Sequence, residues 1–191
     1  MTDMTEEDIR DEIEMAKMEM DGTLDHLKNQ LLKIRTGKAS PAMLGGVVVP
    51  YYGSPTPLNQ VANVAIADAR TITIQPWEKN MIGPIEKAIF EANLGVTPQN
   101  DGELIRINVP PLTEDRRKQL VKQAKQEGED AKVSLRNARR KIMEILKKAV
   151  KGGYPEDAGK RKEGEVDSLT KDFTNKIDAF IGAKEKDIMT V

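Results

Sequence analysis

The sequence predicts an α+β fold in which an elongated three-helix bundle carries a small inserted β/α/β domain. In three stretches, apolar residues recur at steps of three and four, the spacing that places side chains on one face of a helix. Between the first and second of these stretches, residues 45–109 hold short β-branched runs separated by turn residues. Three amphipathic helices cannot each bury an apolar face alone, so we expect them to pack together.

The first helix is predicted to run from Thr5 to about Arg35. A threonine followed by three acidic residues is typical of an N-cap, because acids favour the positive end of the helix dipole. The apolar face consists of Ile9, Ile13, Ala16, Met20, Leu24, Leu27, Leu31 and Ile34. The pattern stops in KIRTGKASP, residues 33–41, where Thr36-Gly37 provides flexible backbone between cations.

The inserted domain is predicted to contain four strands and one helix. The strands are expected in the β-branched runs 47–52, 61–66, 70–75 and 103–109. The helix is expected over 81–93, with Ile82, Ile85, Ile89 and Ala92 on one face and with Gly95 as its C′ residue.

The second long helix is predicted to begin after Pro110-Pro111, at Thr113, and to end at Gly152-Gly153. Its apolar face consists of Leu120, Ala124, Ala131, Leu135, Ala138, Ile142, Ile145 and Ala149. Residues 152–165 are rich in Gly, Pro and charge and are predicted to form a loop. The last helix then follows, with the apolar face Val166, Leu169, Phe173, Ile177, Phe180, Ile181 and Ile188.

This order of elements predicts two domains. Residues 1–35 and 110–191 form the bundle, which is expected to bind RNA, and residues 36–109 form the insert. The two connections, KIRTGKASP and NVPPL (108–112), are expected to act as a two-strand hinge that permits bending more readily than free rotation.

Composition excludes several classes of function. The chain has no cysteine, so thiol nucleophiles and zinc–cysteine sites are absent and a cytosolic location is expected. His26, the single histidine, lies off the apolar face and is expected to be an exposed residue rather than a base. Gly37-Lys38 does not complete a phosphate loop, because Leu32 and Ala39 replace the required glycine and hydroxyl. The longest apolar run is too short to span a membrane.

Charge is strongly segregated along a chain whose net charge is −1. Residues 1–30 hold 3 cations and 10 anions, whereas residues 108–151 hold 13 cations and 6 anions. The cations of the second long helix form a stripe away from its apolar face: Lys118, Lys122, Lys125, Lys132, Arg136, Arg139, Arg140 and Lys147. Its densest part gathers three guanidinium groups over about one turn, which suits phosphate oxygens. A solvated face paired with the acidic first helix explains the same stripe equally well by composition.

Five ordered motifs resemble those of the bacterial ribosome recycling factor family over nearly the whole chain. They are RTGKASP (35–41), YYGSPTPL (51–58), IQPWEKNMIGPIEKAI (74–89), VPPLTEDRRKQL (109–120) and SLRNARRK (134–141). The resemblance implies an L-shaped molecule that binds the large ribosomal subunit after termination. With elongation factor G and GTP it would separate the subunits and release mRNA and tRNA.

The resemblance also suggests roles for particular residues. Together with the charge stripe it assigns ribosomal RNA (rRNA) contacts to Arg116, Arg117, Lys132, Arg136, Arg139, Arg140 and Lys147. It assigns the hinge to Arg35, Thr36, Gly37, Lys38, Pro110 and Pro111. Lys38 replaces the arginine common in the family, which keeps the charge but loses the bidentate fork. The acidic N-terminal extension and the 152–165 loop match the family only loosely and receive no role.

The sequence thus predicts a monomeric, cytoplasmic translation factor without catalytic residues, cofactor, metal or membrane partner. Two rival classes are a helical scaffold, whose basic stripe would pair with an acidic protein, and a hydrolase using carboxylates of the insert. No placed base or nucleophile supports the hydrolase.

Overall fold

The computed structural model describes residues 3–190, which form two compact units. One unit contains the chain up to Arg35 together with the chain from Glu114 onward, and the other is Thr36–Thr113. The bundle therefore resumes at Glu114, four residues after Pro110, the position expected from sequence. Val109 is 6% exposed in the core of the insert, and its N–H donates to the Arg70 carbonyl oxygen at 2.7 Å. Beyond it, Leu112 is partly buried and lies beside Gly37 of the outgoing connection, so the chain up to Thr113 stays with the insert.

Four α-helices are present in the described chain. They are α1 (Glu6–Leu32), α2 (Ile82–Glu91), α3 (Glu114–Lys151) and α4 (Glu156–Met189). The predicted N-cap at Thr5 is confirmed, since the Asp8 N–H donates to the Thr5 hydroxyl at 3.2 Å and the Thr5 N–H donates to the Asp8 carboxylate at 2.8 Å. Helix α1 ends three residues before the predicted position, because Lys33 caps it by donating back to Gln30 and Leu31.

The predicted 152–165 loop is wrong over most of its length, because α4 begins at Glu156. Gly159 resembles a loop residue in sequence but is buried inside the helix. A Cβ atom there would lie 2.6 Å from Val150 Cγ2, so glycine permits α4 to pass close to the end of α3. The true turn between the helices is short and contains Gly153, whose φ is +113°.

Helices α1, α3 and α4 form the bundle core. Its fully buried side chains include Phe173, Ile9, Met20, Leu27, Leu135 and Ile142. On α3, Leu146 is buried and Ile145 is only partly buried, so the prediction placed the wrong one of two neighbours in the core. Gly128 lies where α3 meets α4, since a Cβ there would approach Ile181 Cγ1 to 2.7 Å.

The start of α1 is fastened to the turn between α3 and α4 by a polar cluster. The Tyr154 hydroxyl donates to Glu6, and Lys162 Nζ lies 3.0 Å from the same carboxylate. The Tyr154 hydrogen bond, followed by that of Lys162, lowers the pKa of Glu6 below its usual range. The hydrogen bond to Glu6 in turn raises the pKa of Lys162. The acidic N-terminal segment thus contributes to closing the bundle.

We expect Glu6→Gln to lower the thermal midpoint at neutral pH. A carboxylate whose folded-state pKa is depressed contributes stability above its unfolded value, about 4.3, and loses it as pH falls through the folded value. The difference between variant and wild type should therefore shrink below about pH 4. On the alkaline side, the contribution of Lys162 is lost as pH rises through its raised pKa.

Melting curves from acidic to alkaline pH measure this effect. The matched control is Glu7→Gln, which removes the same charge from the next, exposed position. A difference for Glu6→Gln that stayed constant down to the lowest pH would contradict the assignment.

The insert contains two antiparallel sheets. Strands β1 (Val48–Tyr51) and β2 (Ser54–Pro57) pair as a hairpin. Strands β3 (Ala62–Asp68), β4 (Thr71–Pro76), β5 (Pro98–Asn100) and β6 (Ile105–Asn108) form a sheet of order β3-β4-β6-β5. The fully buried residues of this unit include Ile72, Ile74, Ile85, Ile89, Ile105 and Ile107, so α2 packs on the four-stranded sheet.

The sequence prediction missed β2 and β5, both of which contain proline. Proline cannot donate to a strand ladder, which confines it to edges, and both strands are edge strands. The predicted C′ residue of α2 is also wrong: the helix ends at Glu91, and Asn93 has the left-handed conformation, with φ +49°.

The β1–β2 hairpin has a two-residue turn, Tyr52-Gly53, in which both residues have positive φ, +47° and +81°. Asn-Gly or Asp-Gly is the usual pair for such a turn. A non-glycine residue in this region costs about 1–2 kcal/mol. Tyrosine at this position is therefore unfavourable for the backbone.

Within residues 3–190, no helix combines the length and hydropathy needed to cross a membrane.

Candidate nucleic-acid interface

Six of the cations of α3 form two columns with different surroundings. Lys125, Lys132 and Arg139 are spaced by seven residues and face α4. Their nitrogens lie 3.2 Å from Glu185, 2.7 Å from Asp178 and 2.8 Å from Asp167, respectively. The acids descend in number as the cations ascend, as in an antiparallel helix pair. This column links two helices of the bundle.

The pairing with α4 partly supports the solvated-face alternative but changes its partner. The side chain of Lys132 is 26% exposed, and the hydrogen bond to Asp178 raises its pKa. The first helix supplies one such contact, in which Lys141 Nζ lies 3.0 Å from Glu19. The whole column is therefore paired with α4, and the acidic α1 pairs only with Lys141 outside the column.

The second column consists of Arg136, Arg140 and Lys147. These positions are separated by four and seven residues and lie along one helix face. All three side chains are exposed, and none forms an ion pair with any residue of the described chain. This unpaired column leaves positive charge available to a ligand.

A groove of about 460 Å³ lies along this part of the bundle. It is lined by Arg136, Arg139, Arg140, Met143, Glu144, Lys147, Glu163 and Asp167. The guanidinium groups provide planar forks for phosphate oxygens, and Asp167 holds one of them, Arg139, on the α4 side. Of the three acids that line the groove, Glu163 and Asp167 belong to α4 and Glu144 to α3, whereas all four cations belong to α3. A polyanion would therefore approach from the α3 side.

Arg116 and Arg117 lie in the first turn of α3, far from the groove. They precede Arg136 by about 20 residues, which corresponds to about 30 Å along the helix axis. Arg116 donates to Gln119 Oε1 at 3.1 Å, and Arg117 is partly buried with its Nε lacking a hydrogen-bond partner. The structure therefore divides the predicted rRNA-binding set into two separate groups.

The predicted hinge residues lie in the two segments that connect the insert to the bundle. Arg35, Pro110 and Pro111 are exposed, and Thr36, Gly37 and Lys38 are partly buried. Gly37 has φ +75°, and a Cβ there would lie 2.9 Å from Leu112 Cγ, so the two connections run side by side.

Both connections are also tied to the β3–β4 turn, a feature that sequence did not indicate. The Ala39 N–H donates to the Ala69 carbonyl oxygen at 2.8 Å, next to the bond from Val109 to Arg70. These bonds attach the first connection to the insert from Ala39 onward, and they attach the return connection to the insert as far as Val109. The segments left between these anchors and the bundle are 36–38 and 110–113.

Possible metal ligands and the single histidine bear on other kinds of site. Within residues 3–190, no group of three or more His, Asp or Glu side chains is placed to hold a metal ion. His26 is exposed, as expected from its position on α1. The fold and the groove define the class: a two-unit protein whose helical bundle has unpaired cations at its surface.

Comparison with known proteins identifies the family within that class. The sequence model of the family described as "Ribosome recycling factor" matches residues 27–189. The chain belongs to the ribosome recycling factor family, which confirms the resemblance noted in the sequence.

Individual relatives match over nearly their whole length. The chain is 54% identical over 179 residues to a ribosome-recycling factor of Flavobacterium johnsoniae, covering 94% of this chain and 96% of the relative. It is 52% identical over 185 residues to one from Parabacteroides distasonis, covering 96% and 99%.

Solved structures agree with these matches. A solution structure of the ribosome recycling factor matches with a TM-score of 0.80 and 36% identity, covering 98% of this chain and 100% of that chain. A second match, at TM-score 0.64 and 40% identity, covers 95% and 99%. It is the T. thermophilus ribosome recycling factor, in a model with E. coli elongation factor G bound to the E. coli post-termination complex. The predicted α+β fold class, a helical bundle with an added β domain, is thereby confirmed.

Proposed function

We propose that this protein recycles ribosomes after termination. It binds the post-termination ribosome and, with elongation factor G and GTP, separates the subunits and releases mRNA and tRNA. The observation that carries the proposal is the unpaired column of Arg136, Arg140 and Lys147 in a chain of this family. A polyanionic ligand satisfies three cations that the described chain leaves without partners.

In this proposal rRNA phosphates occupy the groove. Arg136, Arg140 and Lys147 bind them directly, and Arg139 turns from Asp167 to a phosphate. That exchange is inexpensive, because an ion pair at 43% and 55% side-chain exposure contributes about 0–1 kcal/mol. Lys132, which is less exposed, keeps its partner on α4 and positions the helix pair. Arg116 and Arg117 contact a second stretch of RNA, about 30 Å away along α3.

The insert moves relative to the bundle during subunit separation. The bending residues are Thr36, Gly37 and Lys38 on one connection and Pro110 to Thr113 on the other, because the chain on either side is fixed by hydrogen bonds or helix. Arg35 lies at the bundle side of this joint. The protein acts as a cytoplasmic monomer with no cofactor, and binding energy rather than catalysis by its own residues drives its part of the process.

A subunit-splitting assay tests this function. Purified post-termination ribosomes are mixed with the protein, elongation factor G and GTP, and light scattering follows the loss of intact ribosomes. We expect splitting only when all components are present. If omitting this protein left the rate unchanged, the function would be wrong. A density gradient tests the rival scaffold class, because a scaffold would not migrate with ribosomes.

We expect binding to ribosomes to weaken steeply as salt is added. Each phosphate neutralised by Lys or Arg releases counterions, with a slope of about −0.7 to −0.9 in log affinity against log salt for each contact. With Arg136, Arg139, Arg140 and Lys147 engaged, a slope near −3 is expected for the groove. Pelleting with purified ribosomes across a salt series measures it, and a flat profile would point to an apolar protein interface instead.

A further inference from the structure

A carboxylate is held between two tyrosine hydroxyl groups at the β1–β2 hairpin of the insert. Tyr51 donates to Glu78 Oε1 and Tyr52 donates to Glu78 Oε2, each at 3.0 Å. The two rings meet edge to face, with centroids 4.5 Å apart and an interplanar angle of 76°. A carboxylate can accept about four hydrogen bonds, so Glu78 retains acceptor capacity.

The charge of Glu78 has no cationic partner within residues 3–190. The adjacent Lys79 is exposed and forms no ion pair with it. The hydroxyl groups fix the position of the carboxylate but leave its charge uncompensated. The anion raises the pKa of both tyrosines, chiefly through these hydrogen bonds.

Burial of the Tyr52 side chain does not offset its unfavourable backbone conformation. It has φ +47° where asparagine or glycine is preferred, and it is 77% exposed, so its ring adds almost nothing to the core. An exposed ring at an unfavourable backbone position, beside an unpaired anion, is a surface suited to a partner. Strained residues are concentrated at such sites.

We propose that Tyr51, Tyr52 and Glu78 form a docking site for an arginine side chain of a protein partner. Arginine fits because its planar guanidinium group stacks on aromatic rings and donates to a carboxylate through a fork. A phosphate group is repelled by Glu78, so the charge of the site favours a cationic side chain over the RNA backbone. The inference rests on the proposed function, because the partner is a component of the ribosome–elongation factor G complex.

Two substitutions separate this role from a structural one. Tyr52→Asn removes the ring and suits the turn. Glu78→Gln removes the charge and keeps the shape, and the tyrosine hydroxyl that faces the new NH2 group accepts from it instead of donating. The thermal midpoint of each should change by no more than about 3 °C. We expect ribosome pelleting through the bundle to persist and subunit splitting to slow by about tenfold, since aromatic and arginine anchors dominate interfaces. The control is Phe90→Gln, which removes an exposed ring, 73% accessible, from the same unit.

The chemistry of the partner is identified by crosslinking. The full chain carrying Ser54→p-benzoylphenylalanine, beside the turn, is irradiated in the complex of purified ribosomes and elongation factor G. Mass spectrometry should find the crosslink on a protein segment with an arginine within a few residues. Crosslinks to rRNA alone, to a segment without arginine, or to nothing would overturn the proposal, as would normal splitting by both variants. If the wild-type protein itself fails to split ribosomes, the proposed function is wrong and this inference falls with it.

Discussion

Replacing Arg136, Arg140 and Lys147 together by alanine is expected to lower affinity for ribosomes on the order of a hundredfold. Each side chain is exposed and without an ion-pair partner in the described chain, so its loss removes a contact to phosphate and little else. At about 1 kcal/mol for each solvent-exposed contact between opposite charges, three contacts correspond to that factor. The thermal midpoint should change little or rise, because like charges along one helix face repel each other.

Sedimentation with purified ribosomes and a melting curve measure the two quantities. The control variant replaces Lys17, Lys87 and Lys186 by alanine, which changes the net charge equally through exposed residues on α1, α2 and α4. Equal losses of affinity in both variants would show that net charge, rather than the groove, governs binding. A large loss of stability in the first variant would show that the column is structural.

Gly37→Ala is expected to separate binding from subunit splitting. At φ +75° a side chain is strained, and the new Cβ would lie 2.9 Å from Leu112 Cγ on the neighbouring connection. The substitution therefore acts where the two connections must bend, and splitting should slow by roughly an order of magnitude. Affinity for ribosomes should stay within about twofold, because Gly37 belongs to the insert and the residues that line the groove belong to the bundle.

A matched control separates the effect of Gly37→Ala on bending of the connections from the effect of backbone strain alone. Gly102 has φ +90°, and a Cβ there would meet no atom within 4 Å, so Gly102→Ala imposes similar strain elsewhere in the insert. We expect that variant to split ribosomes normally. Normal splitting by folded Gly37→Ala, or equal loss of binding and splitting, would contradict a bending role for this glycine.

The helical part of the fold was readable from sequence because burial follows the helix period closely. Nearly every residue assigned to the apolar face of α1 is buried, and the N-cap at Thr5 was recognised from its acidic neighbours. The failures are of another kind. Gly159 indicated a loop, but its small size serves helix packing, and a single sequence cannot distinguish these uses.

The short strands β2 and β5 were missed for a physical reason too. Their prolines lower local strand propensity, and only pairing with β1 and β6 makes them strands. Local propensity therefore could not find elements that depend on a partner strand.

The positive charge of the candidate site was predictable from sequence, but the separation of its cations into paired and unpaired columns was not. Helical spacing gathered the cations of α3 on one side, yet it could not show which of them α4 neutralises. That depends on the rotation of one helix against another, which brings Asp167 and Asp178 to Arg139 and Lys132. A search for acids at complementary spacing on α4 would have given a partial signal. The Tyr51–Tyr52–Glu78 cluster had none, because Glu78 is 27 and 26 residues from the two tyrosines.

The close approach of the two connections also bears on how the chain folds. Helix α1 can bury its apolar face only against α3 and α4, and the insert, Thr36–Thr113, separates α1 from these helices along the chain. Closing a flexible loop of that length costs about 4 kcal/mol in chain entropy. Once the insert has folded, the bonds from Ala39 to Ala69 and from Val109 to Arg70 hold its ends side by side. The insert then behaves as a tight turn, so folding it first removes most of the entropic barrier to assembling the bundle.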